Sequence, residues 1–155
     1  METIITTTTN GPILLENFKK YIVEVGSSRD DELQSFLDTA TRKIELHCNK
    51  SLANHDITLV SDYKVSYLKL KLRPVTEIIS VQDEQDNDVV YTIDTRMRKI
   101  AVDTPTELVV KYKTLPQVEP QHKQAILDYA TLLYNGSTDG NEFKSVLLKC
   151  YNPID

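Results

Sequence analysis

The sequence predicts an α+β protein, with helices at both ends around a small antiparallel β-sheet, and three observations carry that expectation. Apolar residues recur at helical spacing from Ile13 to Val25 and again from Leu33 to Ile44. Between Ile57 and Tyr112 the period shortens to two, the mark of half-buried strands. After Pro120 the helical spacing returns through Ala125, Ile126, Tyr129, Ala130 and Leu133.

Taken in order, residues 1–12 are rich in threonine, with high β propensity and no evident partner, and are expected to form an extended N-terminal arm. The first helix is expected over 13–25. Leu14, Leu15, Phe18, Tyr21 and Ile22 share one stripe, and Gly26 stands where a C-cap glycine would close it. The second, over 29–48, has the strongest signals. Ser28 is placed as a hydroxyl cap before Asp30, Asp31 and Glu32, acids that the helix dipole favours in a first turn. Leu33, Phe36, Leu37, Ala40 and Ile44 then line one face, and Asn49 is a left-handed terminator.

The sheet is expected from residues 56–112. Tyr67-Leu68-Lys69-Leu70-Lys71-Leu72 puts three leucines on one face and lysines on the other. Pro74 interrupts, and Val75 to Val81 resumes as a second strand. The polar run Asp83-Glu84-Gln85-Asp86-Asn87-Asp88 reads as a turn, across which Val89 to Ile93 would pair back as a hairpin. Lys99 to Val102 and Glu107 to Tyr112 complete the set. The last long helix, 120–135, opens on a first-turn proline and closes at Asn135-Gly136. A flexible joint over 136–141 follows. Phe143, Val146, Leu147, Cys150 and Tyr151 then recur at helical spacing until Pro153.

Composition excludes several functions. With 40% hydrophobic and 26% charged residues the chain is ordinary for a soluble domain. A net charge of −5, with Arg96, Arg98 and Lys99 as the one tight basic cluster, argues against a dedicated nucleic-acid face. No stretch reaches the roughly 20 apolar residues of a membrane helix. The N-terminus lacks the basic start and apolar core of a signal peptide, so the protein is expected to be made in the cytoplasm. Cys48 and Cys150 are far apart in sequence and read as reduced thiols.

Catalytic motifs are missing from the sequence. His47, Cys48 and His55 offer a corner of a zinc site but no second pair, so no metal is expected; His122 and the others read as satisfied histidines. Four glycines make no phosphate cradle, and there is no nucleophile elbow. The acidic run lacks the central glycine and distal glutamate of a calcium loop. No cofactor is expected, and the chain does not read as an enzyme.

Several words stand in one order along the chain: Leu15-Glu16-Asn17-Phe18-Lys19-Lys20-Tyr21-Ile22, then Asp30-Asp31-Glu32-Leu33 leading a helix with Ala40 and Ile44. Leu72-Arg73-Pro74-Val75, running on through Ile79-Ser80-Val81, is a third. Val109-Val110-Lys111-Tyr112, then His122 to Leu127 with Tyr134, complete the set over roughly residues 14–135. These words and the order of elements resemble the head–tail connector, or adaptor, family of long-tailed phages and gene-transfer particles. Asn49-Lys50 stands where the family usually has Gly-Arg, and Asn135-Gly136 where it often has Asn-Arg.

The resemblance implies a structural virion protein of the head–tail neck. Its partners would be itself, in a closed and twelve-fold ring, the portal protein, and the next neck or tail protein. DNA would be passing cargo without sequence-specific binding, and no membrane is involved. A ring needs two different surfaces per subunit. Within this frame the chain divides into an arm (1–12), a helix–sheet–helix domain (13–135) and a C-terminal docking segment (136–155). Phe143, Val146, Leu147, Leu148 and Tyr151 would dock on the portal. Asp83, Glu84, Asp86 and Asp88 would face the channel, repelling DNA from its wall. Two other readings stay open: a non-viral dimeric adaptor or regulatory protein without catalytic activity, and a small enzyme whose site is built from scattered residues.

Overall fold

A computed structural model describes residues 2–7 and 11–150 of the chain. The elements in order are β1 (Glu2–Thr7), α1 (Leu15–Ile22), α2 (Asp30–Cys48), β2 (His55–Val60), β3 (Val65–Lys69), β4 (Val75–Gln82), β5 (Thr92–Ile93), β6 (Lys99–Thr106), β7 (Val109–Thr114), α3 (Pro120–Tyr134) and α4 (Gly140–Lys149). The fold class is α+β, as the periodicities indicated. The chain divides into two compact units, one of Met1–Thr9 with Ala53–Gln117, the other of Asn10–Leu52 with Val118–Asp155.

The first unit holds all the described strands, in two antiparallel sheets rather than the one expected. One has the order β1-β2-β7-β4 and the other β3-β6-β5. Inward residues of both sheets build one core: Ile57 and Leu59 from β2, Val110 and Tyr112 from β7, Leu68 from β3, and Ile100 and Val102 from β6. Each fully buried leucine or isoleucine contributes on the order of 1.5–3 kcal/mol. Leu70 and Leu72, beyond the end of β3, are buried with them, so the three leucines of the alternating run do share the core.

Tyr112 ties this core to the backbone. Its hydroxyl donates to the Lys71 carbonyl at 2.8 Å and accepts from the Lys71 amide at 3.0 Å. Burial pushes its pKa up to about 12, although accepting the Lys71 amide pulls the other way. Ser61, also buried, extends the β2–β7 ladder by one step. Its hydroxyl accepts from the Leu108 amide at 2.8 Å, and its own amide donates to the Leu108 carbonyl.

Two strand expectations are corrected. Residues 2–7 are extended, but they form the edge strand β1, paired with β2 from Glu2↔Val60 to Thr7↔His55. The β propensity of this stretch is used on a partner too distant in sequence to be inferred. The hairpin across the acidic turn does not continue either. It closes with one bridge, Gln82↔Asp88, after which β5 pairs with β6 in the other sheet. Val90 and Tyr91 face solvent, so this stretch lacks the alternation that would hold it along β4.

The second unit is helical. Phe18 of α1, Leu33, Leu37, Ala40 and Ile44 of α2, and Ala125, Ile126, Tyr129 and Ala130 of α3 form its core, with Val146 of α4 and Cys150. α2 ends at Asn49 in the left-handed region, φ 52°, as expected. Its N-cap is Arg29, without a side-chain cap, so Ser28 does not serve. Likewise α1 ends on Val23 (φ 58°), not at Gly26. A β-branched residue in that region costs about 1–2 kcal/mol, and the turn around it is firmly tied. Lys19 donates to the Gly26 carbonyl and pairs with Asp30 at 2.7 Å, and Tyr134 donates to Glu24 at 2.7 Å.

α3 opens on Pro120 as expected, within a reciprocal capping box. The Glu119 side chain accepts from the His122 amide, and the Glu119 amide donates to His122 Nδ1 at 3.1 Å. Buried His122 is therefore a helix-end histidine, in a place usually held by Glu or Gln.

Candidate interaction surfaces

Among the described residues no group of three or more His, Cys, Asp or Glu side chains is placed to hold a metal ion. No described helix is long and apolar enough to cross a membrane. An open groove of ≈ 620 Å³ in the helical unit runs past Tyr21, Asp128, Asp139, Glu142 and Lys149. Its carboxylates already have structural tasks. Asp128 accepts from Tyr21 and Gln124, Asp139 caps α4 through the Asn141 amide, and Glu142 accepts from Ser137. This arrangement ties down helix ends.

The C-terminal segment does not stand away from its unit. The expected flexible joint is a hydrogen-bonded turn into α4, and the apolar face of that helix turns inward. Val146 is 7% exposed, Phe143 lies 4.8 Å from the Tyr129 ring, and Leu147 packs on the same core. Leu148 points the other way and is 61% exposed. Tyr151 lies outside the described residues. An apolar stripe at helical spacing signals burial but not against what, and here the burying surface is α3.

The acidic run is an exposed turn with internal order. Asp83 accepts from the Gln85 and Asn87 amides, both at 2.9 Å, and from the Asn87 side chain. These bonds hold its carboxyl below the usual range. Asp86 sits at positive φ, 62°, and Asp88 accepts from Gln82. Glu84 meets a residue remote in sequence: its carboxyl lies against that of Glu107, whose pKa rises through that hydrogen bond and charge, with Lys64 opposing.

The basic cluster gains members that sequence reasoning missed. In the β3–β6 ladder Lys69 is the Cα partner of Lys99, and Tyr67 that of Ala101. Leu68 and Ile100 between them are buried, so Tyr67, Lys69 and Lys99 share the outer face. The Lys99 ammonium lies 5.2 Å from the centre of the Tyr67 ring. Arg96 and Arg98 stand in the adjoining turn, where Asp94 accepts from the Arg98 and Lys99 amides at 2.6 and 2.9 Å. The alternation marks Lys69 as outward-facing, but only register sets it beside Lys99.

Among solved structures the chain is similar to a chain in the neck of an empty gene transfer agent particle computed with C6 symmetry. The TM-score is 0.65 at 14% identity, over 96% of this chain and 95% of that one. It is also similar to chains in the virion of a native gene transfer agent particle and in the neck of a native particle computed with C12 symmetry. These have TM-scores of 0.64 and 0.63, each at 13% identity with the same coverage. At such identities the likeness is one of fold, and it runs the length of the chain. No protein-family model matches, and no curated protein matches. This chain shares its fold with those particle chains.

Proposed function

We propose that this chain is a structural subunit of the head–tail neck of a phage or gene-transfer particle and works by closing into a ring. The observation that carries the reading is the end-to-end likeness of fold to neck chains from particles with C6 and C12 symmetry. Connector words in the sequence support it independently, since they belong to the linear chain and not to its fold. In this role the ring binds the portal, prolongs the DNA channel, and offers its far side to the next neck or tail protein. Twelve copies would match a twelve-fold portal.

The chemistry of the surfaces suits a passive conduit. Asp86 and Asp88 at the tip of the acidic turn would line the channel wall, where like charge keeps a sliding duplex from sticking. Among the described residues of the C-terminal set, Leu148 is the best exposed to meet the portal. The subunit works by shape, charge and self-association, with no reaction to catalyse.

The test is assembly. Purified chain, alone and mixed with the portal protein of the same particle, is sized by light scattering and imaged by cryo-electron microscopy. A ring of about a dozen copies on the portal's tailward face is the expected result. A stable dimer with no affinity for portal would overturn the reading.

A further inference from the structure

The outer faces of the two sheets are charged differently. On the β1-β2-β7-β4 sheet, Lys113 of β7 has Asp56 of β2 as its Cα partner on one side and Glu77 of β4 on the other. Cation and carboxylates therefore compensate across that ladder. On the β3-β6-β5 sheet, Lys69 of β3 has Lys99 of β6 as its partner, like charge against like. Buried Leu68, Leu70 and Leu72 alternate with exposed Lys69 and Lys71, which puts both lysines on the outer side, about 7 Å apart along extended chain. Arg96, exposed in the β5–β6 turn, adds a cation three residues before Lys99.

This end of the face is not neutralised by its own chain. Among the described residues no carboxylate lies within ion-pair reach of Lys69, Lys71, Arg96 or Lys99. Asp94, the carboxylate of the turn, accepts from the Arg98 and Lys99 amides. Asp103, outward on β6, is four residues from Lys99, about 13 Å along the strand and beyond the roughly 8 Å screening length of physiological salt. Tyr67 is 55% exposed beside the cations, its ring under the Lys99 ammonium. Lysines held side by side repel, and an anion that meets several of them at once relieves that repulsion. An acidic protein surface brings its own cations with its carboxylates. A nucleic-acid backbone offers uninterrupted negative charge along a line, and lysine, arginine and tyrosine side chains are all donors to its phosphates.

We propose that the outer face of β3 and β6, through Lys69, Lys71, Lys99 and Arg96 with the Tyr67 hydroxyl, binds the phosphate backbone of duplex DNA without regard to sequence. The proposal rests on the neck reading above and deepens it, since the duplex is the cargo that such a subunit passes. Contact through a few cations is weak and salt-labile, so it steadies a duplex and still lets it slide. A net charge of −5 conceals the face in the sequence, because charge acts over a screening length and not over the whole chain.

Fluorescence anisotropy of a labelled duplex of arbitrary sequence, titrated with the full chain, tests it. Micromolar binding at low salt is expected, with log K falling against log[salt] at a slope of about −3 to −4, the mark of about four phosphate contacts. Lys69→Gln/Lys99→Gln should weaken binding at least about tenfold and flatten the slope by about 2. Lys111→Gln/Lys113→Gln removes the same charge from the outer face of the other sheet and should change affinity by no more than about twofold. All four lysines are exposed, and native circular dichroism is checked for both variants. No binding by the wild type, or equal losses in the two variants, overturns the proposal. So does polyglutamate that strips the chain from DNA at equal charge concentration, which marks the face as a dock for acidic protein. Mass photometry on the same samples keeps the two readings apart. DNA binding by a chain that forms no ring, alone or on portal, overturns the neck reading alone. A ring whose affinity for DNA ignores Lys69 and Lys99 overturns this proposal alone.

Discussion

The Sγ of Cys48, at the end of α2, lies 3.3 Å from the Sγ of Cys150, which follows α4. Cys150 donates to the Leu147 carbonyl and Cys48 to that of Cys150. The hydrogen bond from Cys48 lowers the pKa of Cys150, whereas Cys48 is raised by that bond and by burial. Glutathione disulfide should convert the pair to an intrachain disulfide, the two protons and two electrons passing to the glutathione. Mass spectrometry should find a loss of about 2 Da, and Cys48→Ser should abolish it. The bond would close a loop of 102 residues, with a chain-entropy stabilisation of at most about 5 kcal/mol. Two thiols still titratable after prolonged oxidation would contradict this geometry.

Tyr112→Phe keeps the ring in the core but leaves the amide and carbonyl of Lys71 without their partner. A loss of roughly 1–3 kcal/mol in urea unfolding is expected at neutral pH. The alkaline limb offers a sharper check. Burial pushes Tyr112 up to about 12 in the folded chain, against an ordinary tyrosine value of about 10, so between these values the unfolded chain loses a proton that the folded one keeps. Stability from this group is full below pH 10 and is lost as pH rises through 12, on the order of 2–3 kcal/mol in all. The difference between wild type and Tyr112→Phe should shrink over that window. A constant difference would place the hydroxyl in a wetter site.

Val146 and Leu148 separate folding from docking on one helix. Val146→Ala should cost roughly 1–3 kcal/mol, because the buried methyls fill space beside α3. Leu148→Asp should change stability by no more than about 0.5 kcal/mol. If α4 grips the portal through its outer face, Leu148→Asp should release the ring from portal-bearing heads, measured by co-sedimentation. Removing residues 141–155 confounds the two, since it also takes Val146 and Cys150 from the core.

Asp83 orders the acidic turn, so Asp83→Ala should speed amide exchange at Gln85 and Asn87, while Asp86→Asn should not. Its carboxyl titrates below the ordinary value because amides donate to it. The turn's order is thus present above the ordinary carboxylate pKa and is lost as pH falls through the depressed one. Exchange rates at Asn87 that ignore both the substitution and acid would rule out this anchoring.

Local patterns in the sequence determined the elements: the amphipathic stripe from Leu33 to Ile44, the alternation from Leu68 to Leu72, the first-turn Pro120 and the left-handed Asn49. Each of these depends on interactions within a few residues, so each is legible in a linear string. Tertiary structure decided what those elements meet. Period-two alternation tells which side chains of a strand point inward, but not which strand lies alongside. Hence the pairing of β1 with β2, the transfer of β5 to a second sheet, and the Lys69–Lys99 and Glu84–Glu107 neighbours all waited for the fold. The same holds at the C-terminus. The stripe of Phe143, Val146 and Leu147 must leave water, yet the hydrophobic effect has no direction. Only the position of α3 turned that stripe toward the subunit's own core, leaving Leu148 outside.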